Sequence, residues 1–279
     1  MIDRQVTVLD LFSGIGGFSL GLHWAGMRTI AFCECEPLAQ SILARHWPGV
    51  PIYPDVRRLT GARLRRDGVR RPDLVCGGFP CQDVSVAGRG GGIKGARSGL
   101  WAEMARIVSE CGPRWVVVEN VPGLRVRGAD RVLGELEAMG YACWPVVVGA
   151  GHAGAPHRRE RVWVVAEAVS ADGGGAGLEG WVGGATAASP GVPIERRGGW
   201  AAGPGVCRVD DGVSRRMDRP ARVRALGNAV VPSVAAMIGR ALLRAATPYE
   251  RRVSVGGETL MGVSHLGTGQ DARRAGGPA

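Results

Sequence analysis

The feature that most constrains the fold is a repeated alternation of strand patterns and helical patterns. It begins with the apolar run Val6 to Phe12, which ends in the turn Ser13-Gly14-Ile15-Gly16-Gly17 and is followed by a helical pattern over 18–25. The valine-rich run at 115–119 is typical of a strand buried on both faces of a sheet. Further strands are predicted at 29–33, 74–76, 143–148 and 162–166, and further helices at 38–47, 100–111, 131–139 and 234–243. The alternation predicts an α/β fold with a doubly wound, mostly parallel sheet and right-handed crossovers.

Composition divides the chain into four segments. Residues 1–167 carry the alternation and are predicted to form the main domain. Residues 168–221 are rich in glycine and arginine, with twelve glycines between 173 and 205, so we predict loop or disorder there. Residues 222–248 are expected to return to the main domain through an amphipathic helix, and 249–279 to form a disordered tail.

The charge of the chain indicates a polyanionic partner. The formal net charge is +10 and the pI is about 10.1, and Lys94 is the only lysine among 35 positively charged side chains. Arginine suits bidentate contacts with phosphates and base edges, which favours nucleic acid as the partner. A GC-rich genome would also enrich arginine and glycine without any functional cause.

The cysteines indicate a reduced protein without a metal site. The count of seven is odd, the positions are scattered, and the amino terminus lacks the pattern of a secretion signal. Cys33 and Cys35 have no matching Cys or His pair, so no zinc site is predicted. No run reaches eighteen apolar residues, so we expect no membrane span and a cytosolic location.

One cysteine stands where α/β proteins build their sites. The segment Gly78-Phe79-Pro80-Cys81-Gln82 directly follows the predicted strand at 74–76. The carboxyl ends of parallel strands line the functional cleft of such sheets, and a thiolate is a strong nucleophile near neutral pH. Cys81 is therefore a candidate nucleophile, and the alternative is a buried structural cysteine beside a turn.

A carboxylate follows the most apolar strand. Glu119 and Asn120 end the valine-rich run, and burial there would raise the pKa of the Glu119 carboxyl so that it holds a proton near pH 7. A thiolate and a neutral acid could together attack an electron-poor ring, with the thiolate adding to carbon while the acid hydrogen-bonds the ring nitrogen.

The turn at 13–17 suits a nucleotide-like cofactor. Glycines allow a ligand to approach the backbone N–H groups closely, and Glu34 follows the second strand, where it could bind ribose hydroxyls. The spacing is G-x-G-G and differs from the dinucleotide pattern G-x-G-x-x-G. A plain tight turn and a solvated loop carboxylate are the alternatives.

Two basic segments could contact an anionic substrate. In an extended chain, Arg159 and Arg161 would point to one side, where they could bind a phosphate or a base carbonyl. The stretch 86–99 contains six glycines with Arg89, Lys94 and Arg97, and it is predicted to be a lid. A solvated charged edge and a disordered surface loop are the respective alternatives.

Taken together, these motifs resemble the C5-cytosine DNA methyltransferase family, in the abbreviated form found in phages and bacteria. The family's motifs occur in order as Asp10-Leu11-Phe12-Ser13-Gly14-Ile15-Gly16-Gly17, Pro80-Cys81-Gln82, Glu119-Asn120-Val121, residues 157–161 and Gly227-Asn228-Ala229-Val230-Val231-Pro232. The resemblance implies a Rossmann-like class I methyltransferase fold, S-adenosylmethionine as cofactor and double-stranded DNA as substrate. It also makes a companion restriction endonuclease a candidate partner.

The resemblance implies roles for individual residues. Cys81 would add to C6 of a flipped cytosine, Glu119 would engage N3, and Arg159 and Arg161 would position the base. Contacts with the DNA are implied for Gln82, Ser85, Arg89, Lys94 and Asn120. The cofactor pocket would be lined by Phe12, Gly14, Ile15, Gly17, Glu34, Asp55, Val56, Gly78, Pro80, Leu100, Asn228 and Ala229.

Family members normally read their target sequence with a domain between the arginine motif and Gly227. Here that insert is short, so base reading would be relaxed, would depend on a partner, or would rest on Arg196, Arg197, Arg208, Arg215 and Arg216. The first alternative to the DNA enzyme is the same chemistry on tRNA, although the Cys-Phe-Thr signature of that branch is not found. The others are a non-catalytic nucleic-acid-binding relative and a nicotinamide oxidoreductase.

Overall fold

The structure is a computed structural model that describes residues 5–80, 100–155, 157–169 and 226–246. Within these residues, seven strands form one sheet. The strands are β1 (Thr7–Leu11), β2 (Arg28–Cys33), β3 (Ile52–Tyr53), β4 (Leu74–Gly77), β5 (Trp115–Asn120), β6 (Tyr141–Val148) and β7 (Arg161–Ala168). Their order across the sheet is β3-β2-β1-β4-β5-β7-β6. All neighbours are parallel except that β7 runs antiparallel to both β5 and β6. The predicted α/β class with a mostly parallel sheet is confirmed.

Helices lie between successive strands as far as β6, and a further helix follows β7. They are α1 (Gly17–Trp24), α2 (Pro37–His46), α3 (Gly61–Arg66), α4 (Leu100–Cys111), α5 (Leu124–Arg127), α6 (Ala129–Ala138) and α7 (Pro232–Ala246). Strand order reverses between β1 and β4, because the chain moves outward from β1 to β3 and then returns to the other side of β1. Such a reversal opens a crevice at the carboxyl ends of the strands, where ligands bind in open α/β sheets.

Strand β5 lies at the centre of the core and is buried on both faces. Val116 and Val118 pack into one apolar layer with Trp101 and Ile107 of α4, whereas Val117 packs into the opposite layer. All three valines are at most 1% exposed. The run of valines therefore reflects helix cover on both sides of the sheet, as the sequence pattern indicates.

Helix α7 packs against α1 at unusually short range. A Cβ atom added at Gly21 of α1 would overlap the carbonyl oxygen of Pro232, and one added at Gly17 would overlap that of Val230. On α7, a Cβ at Gly239 would lie 2.9 Å from Cβ of Ala25. Glycine at these positions lets the two backbones approach, so residues 226–246 form part of the main domain's core.

One stretch in the described residues, Leu226–Ala246, is long and apolar enough by length and composition to cross a membrane, with a mean hydropathy of 1.5. A core helix of a globular domain meets the same criterion. Here α7 buries a stripe of side chains against α1 and the sheet, namely Val234, Ala235, Ala236, Ile238, Ala241 and Leu242.

Gly21→Ala is expected to lower the free energy of unfolding by about 1–3 kcal/mol, because the added methyl group would overpack against backbone that cannot rotate away. Gly134 in α6 provides a matched control, since a Cβ there meets no atom within 4 Å. Gly134→Ala should stabilise the protein by up to about 1 kcal/mol through helix propensity. Urea denaturation measures both, and equal shifts in the two variants would contradict close packing of α1 on α7.

Several predictions lie outside the described residues. These are the lid at 86–99, nearly all of the insert at 168–221 and the tail at 249–279. Within the described part, β7 continues through Ala168, which pairs with Tyr141 of β6. The composition had placed Ala168 in the insert, so the strand extends one residue beyond the predicted boundary.

Candidate active site at the carboxyl edge of the sheet

The predicted site residues gather at one edge of the sheet. Phe12 follows β1, Glu34 follows β2, Gly78 follows β4, and Glu119 lies next to the end of β5. Since these four strands are parallel neighbours, their carboxyl ends meet at the same edge. The structure therefore places residues more than one hundred positions apart around one crevice.

The glycine loop is a tight turn with one open side. Phe12, Gly14 and Gly16 have positive φ angles of 54°, 53° and 87°. The hydroxyl of Ser13 donates to the Asp10 carbonyl oxygen at 2.7 Å, which closes the turn over the end of β1. A Cβ at Gly16 would lie 2.6 Å from the indole ring of Trp47, whereas one at Gly14 would meet nothing within 4 Å. The loop thus packs on the protein at Gly16 and is accessible to a ligand at Gly14.

Glu34 is held rigidly beside that open side. Its Oε2 accepts from the backbone N–H of Gly14 at 2.7 Å, and its Oε1 accepts from that of Glu36 at 2.8 Å. Glu34 is only 9% exposed, so the alternative of a solvated loop carboxylate is wrong. Each carboxylate oxygen retains a lone pair for a further donor, such as a sugar hydroxyl.

Five further predicted pocket residues lie in the glycine loop, after β3, after β4 and at the start of α4. Asp55 caps a single 3₁₀ turn, Val56–Arg58, by accepting from the N–H of Arg57 at 3.0 Å, and Val56 is buried. Pro80 and Leu100 border the undescribed stretch 81–99, with Leu100 as the first residue of α4. Ile15 is half-buried in the glycine loop.

Glu119 has the environment expected of a proton donor. Burial raises its pKa to about 7, and this effect exceeds the opposing attraction of Arg161 and Arg159. Nε of Arg161 lies 3.0 Å from Oε1, and a Cβ at Gly78 would lie 2.9 Å from Oε2. The segment that leads to Cys81 passes directly beside Oε2, and glycine at position 78 allows this close approach. Next to it, Nδ2 of Asn120 donates to the Phe79 carbonyl oxygen at 3.1 Å and so ties the end of β5 to the same segment.

The two arginines make different direct contacts. Arg159 has a φ of 33°, so the chain is not extended there and the expected side-chain alternation is wrong. Arg161 contacts Glu119, but Nη2 of Arg159 donates to the carbonyl oxygens of Gly227 and Ala229 at 2.7 and 2.8 Å. Asn228 between them is exposed, and Ala229 is half-buried.

A family model for C-5 cytosine-specific DNA methylase matches residues 6–172, which span more than half of the chain and include every strand of the sheet. The chain belongs to the C-5 cytosine-specific DNA methylase family. The resemblance carried by the sequence motifs is thereby confirmed.

Relatives within this family are found in bacteria and phages. The chain is 38% identical over 167 residues to the type II methyltransferase M2.BsuMI of Bacillus subtilis, covering 57% of this chain and 41% of the relative. It is 33% identical over 168 residues to M.HpaII of Haemophilus parainfluenzae, covering 58% and 46%. A solved prophage-encoded Escherichia coli protein, described as a DNA modification methyltransferase, superimposes with a TM-score of 0.51 at 28% identity and covers 59% and 47%. The chain thus spans less than half of the length of these relatives.

Five residues of the proposed methylase site lie outside the described residues: Cys81, Gln82, Ser85, Arg89 and Lys94. The five cysteines within the described part, Cys33, Cys35, Cys76, Cys111 and Cys143, are free thiols. No cluster of three or more metal-ligating side chains occurs among the residues that the structure covers.

The candidate site also contains a buried polar group that the sequence analysis missed. Asp10 is fully buried under the glycine loop, and its Oδ2 accepts from the Ser19 hydroxyl at 2.6 Å. Ser19 in turn accepts from Thr29 at 2.8 Å, so the network joins β1, α1 and β2. Burial raises the pKa of Asp10 to about 7, against the opposing hydrogen bond from Ser19. The sequence feature that could have indicated this buried acid is a charged residue inside the apolar run 6–12.

Asp10→Asn is expected to change how stability depends on pH. Because the pKa is raised, the native state keeps a proton on Asp10 that the unfolded chain releases, so wild-type stability should fall as pH rises from about 4 to 7. The slope from this one group is at most about 1.4 kcal/mol per pH unit, and the asparagine variant should lack it. Urea denaturation across this range measures the difference, with Asp130→Asn at an exposed position as control. Parallel curves for wild type and Asp10→Asn would contradict a protonated Asp10.

Proposed function

We propose that this protein methylates C5 of cytosine in double-stranded DNA, with S-adenosylmethionine as cofactor. The observation that carries the proposal is the Glu119 site: a buried carboxyl with a pKa of about 7, paired with Arg161 and adjoining the segment 78–80 that leads to Cys81. A buried acid that retains its proton near pH 7 suits a ring nitrogen that gains charge during nucleophilic addition.

The reaction proceeds through addition and elimination. With the cytosine flipped out of the duplex, the Cys81 thiolate forms a bond to C6, and Glu119 delivers its proton to N3, which receives the displaced electron pair. The resulting enamine makes C5 nucleophilic. After C5 has gained the methyl group, loss of the C5 proton to a base forms the C5=C6 double bond as the C6–S bond breaks and releases the Cys81 thiolate. N3 then returns its proton to the Glu119 carboxylate. Arg161 keeps Glu119 oriented during both proton movements, since its Nε holds Oε1 at 3.0 Å.

The cofactor pocket would be formed by the glycine loop and by Glu34. When bound there, S-adenosylmethionine supplies an electrophilic methyl group. The open side of Gly14 leaves room for a ligand, and the fixed Glu34 carboxylate offers free lone pairs for ribose hydroxyls. These two features fit a nucleoside-containing cofactor, and Asp55, Val56, Pro80, Leu100, Asn228 and Ala229 complete the proposed pocket.

The partners follow from the charge and the chemistry. The net charge of +10 favours DNA, and Gln82, Ser85, Arg89, Lys94 and Asn120 are the proposed contacts with it. We further propose that the protein acts in a bacterial cytosol or in a phage-infected cell, alongside a restriction endonuclease that the methylation protects against.

The direct test is transfer of a labelled methyl group from S-adenosylmethionine to unmethylated genomic DNA, with tRNA assayed in parallel. Label on DNA that maps to methylcytosine at base resolution is the expected result. Label on tRNA alone would indicate that the substrate is RNA and not DNA. Absence of label on both, with the cofactor bound, would contradict catalysis by this chain.

A further inference from the structure

Arg159 occupies an unusual place beside the active site. It precedes β7 by two residues, and its φ of 33° lies in the left-handed region that residues with side chains rarely adopt. Strain of this kind persists only where surrounding contacts compensate for it. The contacts here are the two hydrogen bonds from Nη2, in which each of the two N–H groups on one nitrogen has its own carbonyl acceptor.

The acceptors belong to the connection that leads into α7. Gly227 and Asn228 are exposed, so burial does not fix their backbone. Within the connection, the Ala229 N–H donates to the Leu226 carbonyl oxygen at 3.2 Å, and the next carbonyl, that of Val230, abuts Gly17. Arg159 on one side and the glycine loop on the other therefore hold the connection at two points.

The neighbouring arginine makes a different contact. Arg161 faces Glu119, and its Nη1 donates to the Glu160 carbonyl oxygen at 2.8 Å, with no hydrogen bond to the connection. Although the sequence gives the two arginines the same role, the structure separates them. One contacts the catalytic acid and the other contacts the backbone around Asn228.

We propose that Arg159 is a positioning residue for cofactor binding, acting through the carbonyl groups of Gly227 and Ala229 to hold Asn228 and Ala229 at the pocket. Arg161 makes the ion pair with Glu119, at 3.0 Å, and Arg159 acts on that carboxyl only through its charge. This inference rests on the proposed function, because it requires that the pocket binds the methyl donor. Arg159 itself touches no reacting atom in this assignment.

The test compares Arg159→Lys with Arg161→Lys in the full chain. A lysine retains the charge but lacks the planar guanidinium that spans both carbonyls. For Arg159→Lys, we expect the affinity for S-adenosylhomocysteine, measured by calorimetry, to fall about tenfold or more, since hydrogen bonds from a charged donor are lost. Hydrogen exchange of the amides at 227–231 in the ligand-free protein should accelerate, and kcat at saturating cofactor should remain within about threefold of wild type.

Arg161→Lys should show the opposite split, with unchanged binding of S-adenosylhomocysteine, unchanged exchange at 227–231 and a lower kcat. Arg159→Gln serves as a second variant with the same readouts, and thermal unfolding checks that each variant is folded. If Arg159→Lys bound S-adenosylhomocysteine as wild type does but lost kcat, Arg159 would act on the base and the inference would be overturned. If the wild-type protein failed to bind S-adenosylhomocysteine, the proposed function itself would be contradicted and the inference would fall with it.

Discussion

Replacement of Cys81 by alanine is expected to lower methyl transfer by about 10⁴-fold or more, because no other group in the proposed mechanism can add to C6. Without that addition, C5 of the cytosine ring does not become nucleophilic and the methyl group has no acceptor. Labelled-methyl transfer to DNA under single-turnover conditions measures the loss. Binding of S-adenosylhomocysteine and of DNA should remain close to wild type, since the thiol contributes little to either contact surface.

The matched control for this variant is Cys143→Ala, which removes a half-buried free thiol from β6. It should retain activity and shift stability only slightly. Equal methyl transfer by Cys81→Ala and wild type would exclude the covalent mechanism. If Cys81→Ala failed to fold while Cys143→Ala remained folded, Cys81 would be the buried structural cysteine considered as an alternative.

Glu119→Gln is the second change with a large expected effect. General acid catalysis by one side chain typically contributes about 10²–10⁴-fold, and the amide cannot deliver a proton to N3. We therefore expect kcat to fall by about 10²-fold or more, while the Kd for S-adenosylhomocysteine changes little. Steady-state and single-turnover kinetics together separate the effect on chemistry from an effect on binding.

The pH profile provides a sharper test of Glu119. Since burial raises its pKa to about 7, the protonated form predominates below that pH and is lost above it. Wild-type kcat/KM, which reports the pKa values of the free enzyme, should accordingly fall as pH rises through about 7, and Glu119→Gln should lack this falling limb because an amide does not titrate there.

Glu167 is a suitable control for Glu119. It is also buried and also pairs with an arginine, Arg114, at 2.9 Å, but it lies at the opposite edge of the sheet. Glu167→Gln should reduce stability and leave the pH profile of kcat/KM unchanged. If Glu119→Gln reduced stability in the same way and kcat not at all, Glu119 would be a structural residue.

Much of the site could be predicted from local sequence. The glycine turn, Glu34, Gly78 and Glu119 each follow an apolar strand pattern, and the parallel sheet brings such positions to one edge. The short elements β3, α3 and α5 were not predicted, because two to six residues do not establish a period. Asp10 was missed as a buried acid because its partners, Ser19 and Thr29, lie on two other elements.

The sequence by itself determined the alternation of strands and helices. Through motifs in family order, it also gave the candidates for the nucleophile, the acid and the cofactor loop. Strand and helix patterns and short motifs depend on residues that are neighbours in the sequence, so they can be recognised without the tertiary structure. Only the tertiary structure decided that β7 runs antiparallel between β5 and β6 and that α7 docks on the glycines of α1. It also decided that Arg161 pairs with Glu119 while Arg159 donates to backbone carbonyl groups. The carbonyl groups that Arg159 contacts lie 68 and 70 positions further along the chain. Contacts of that separation depend on how packed elements meet in space, which local pattern does not encode.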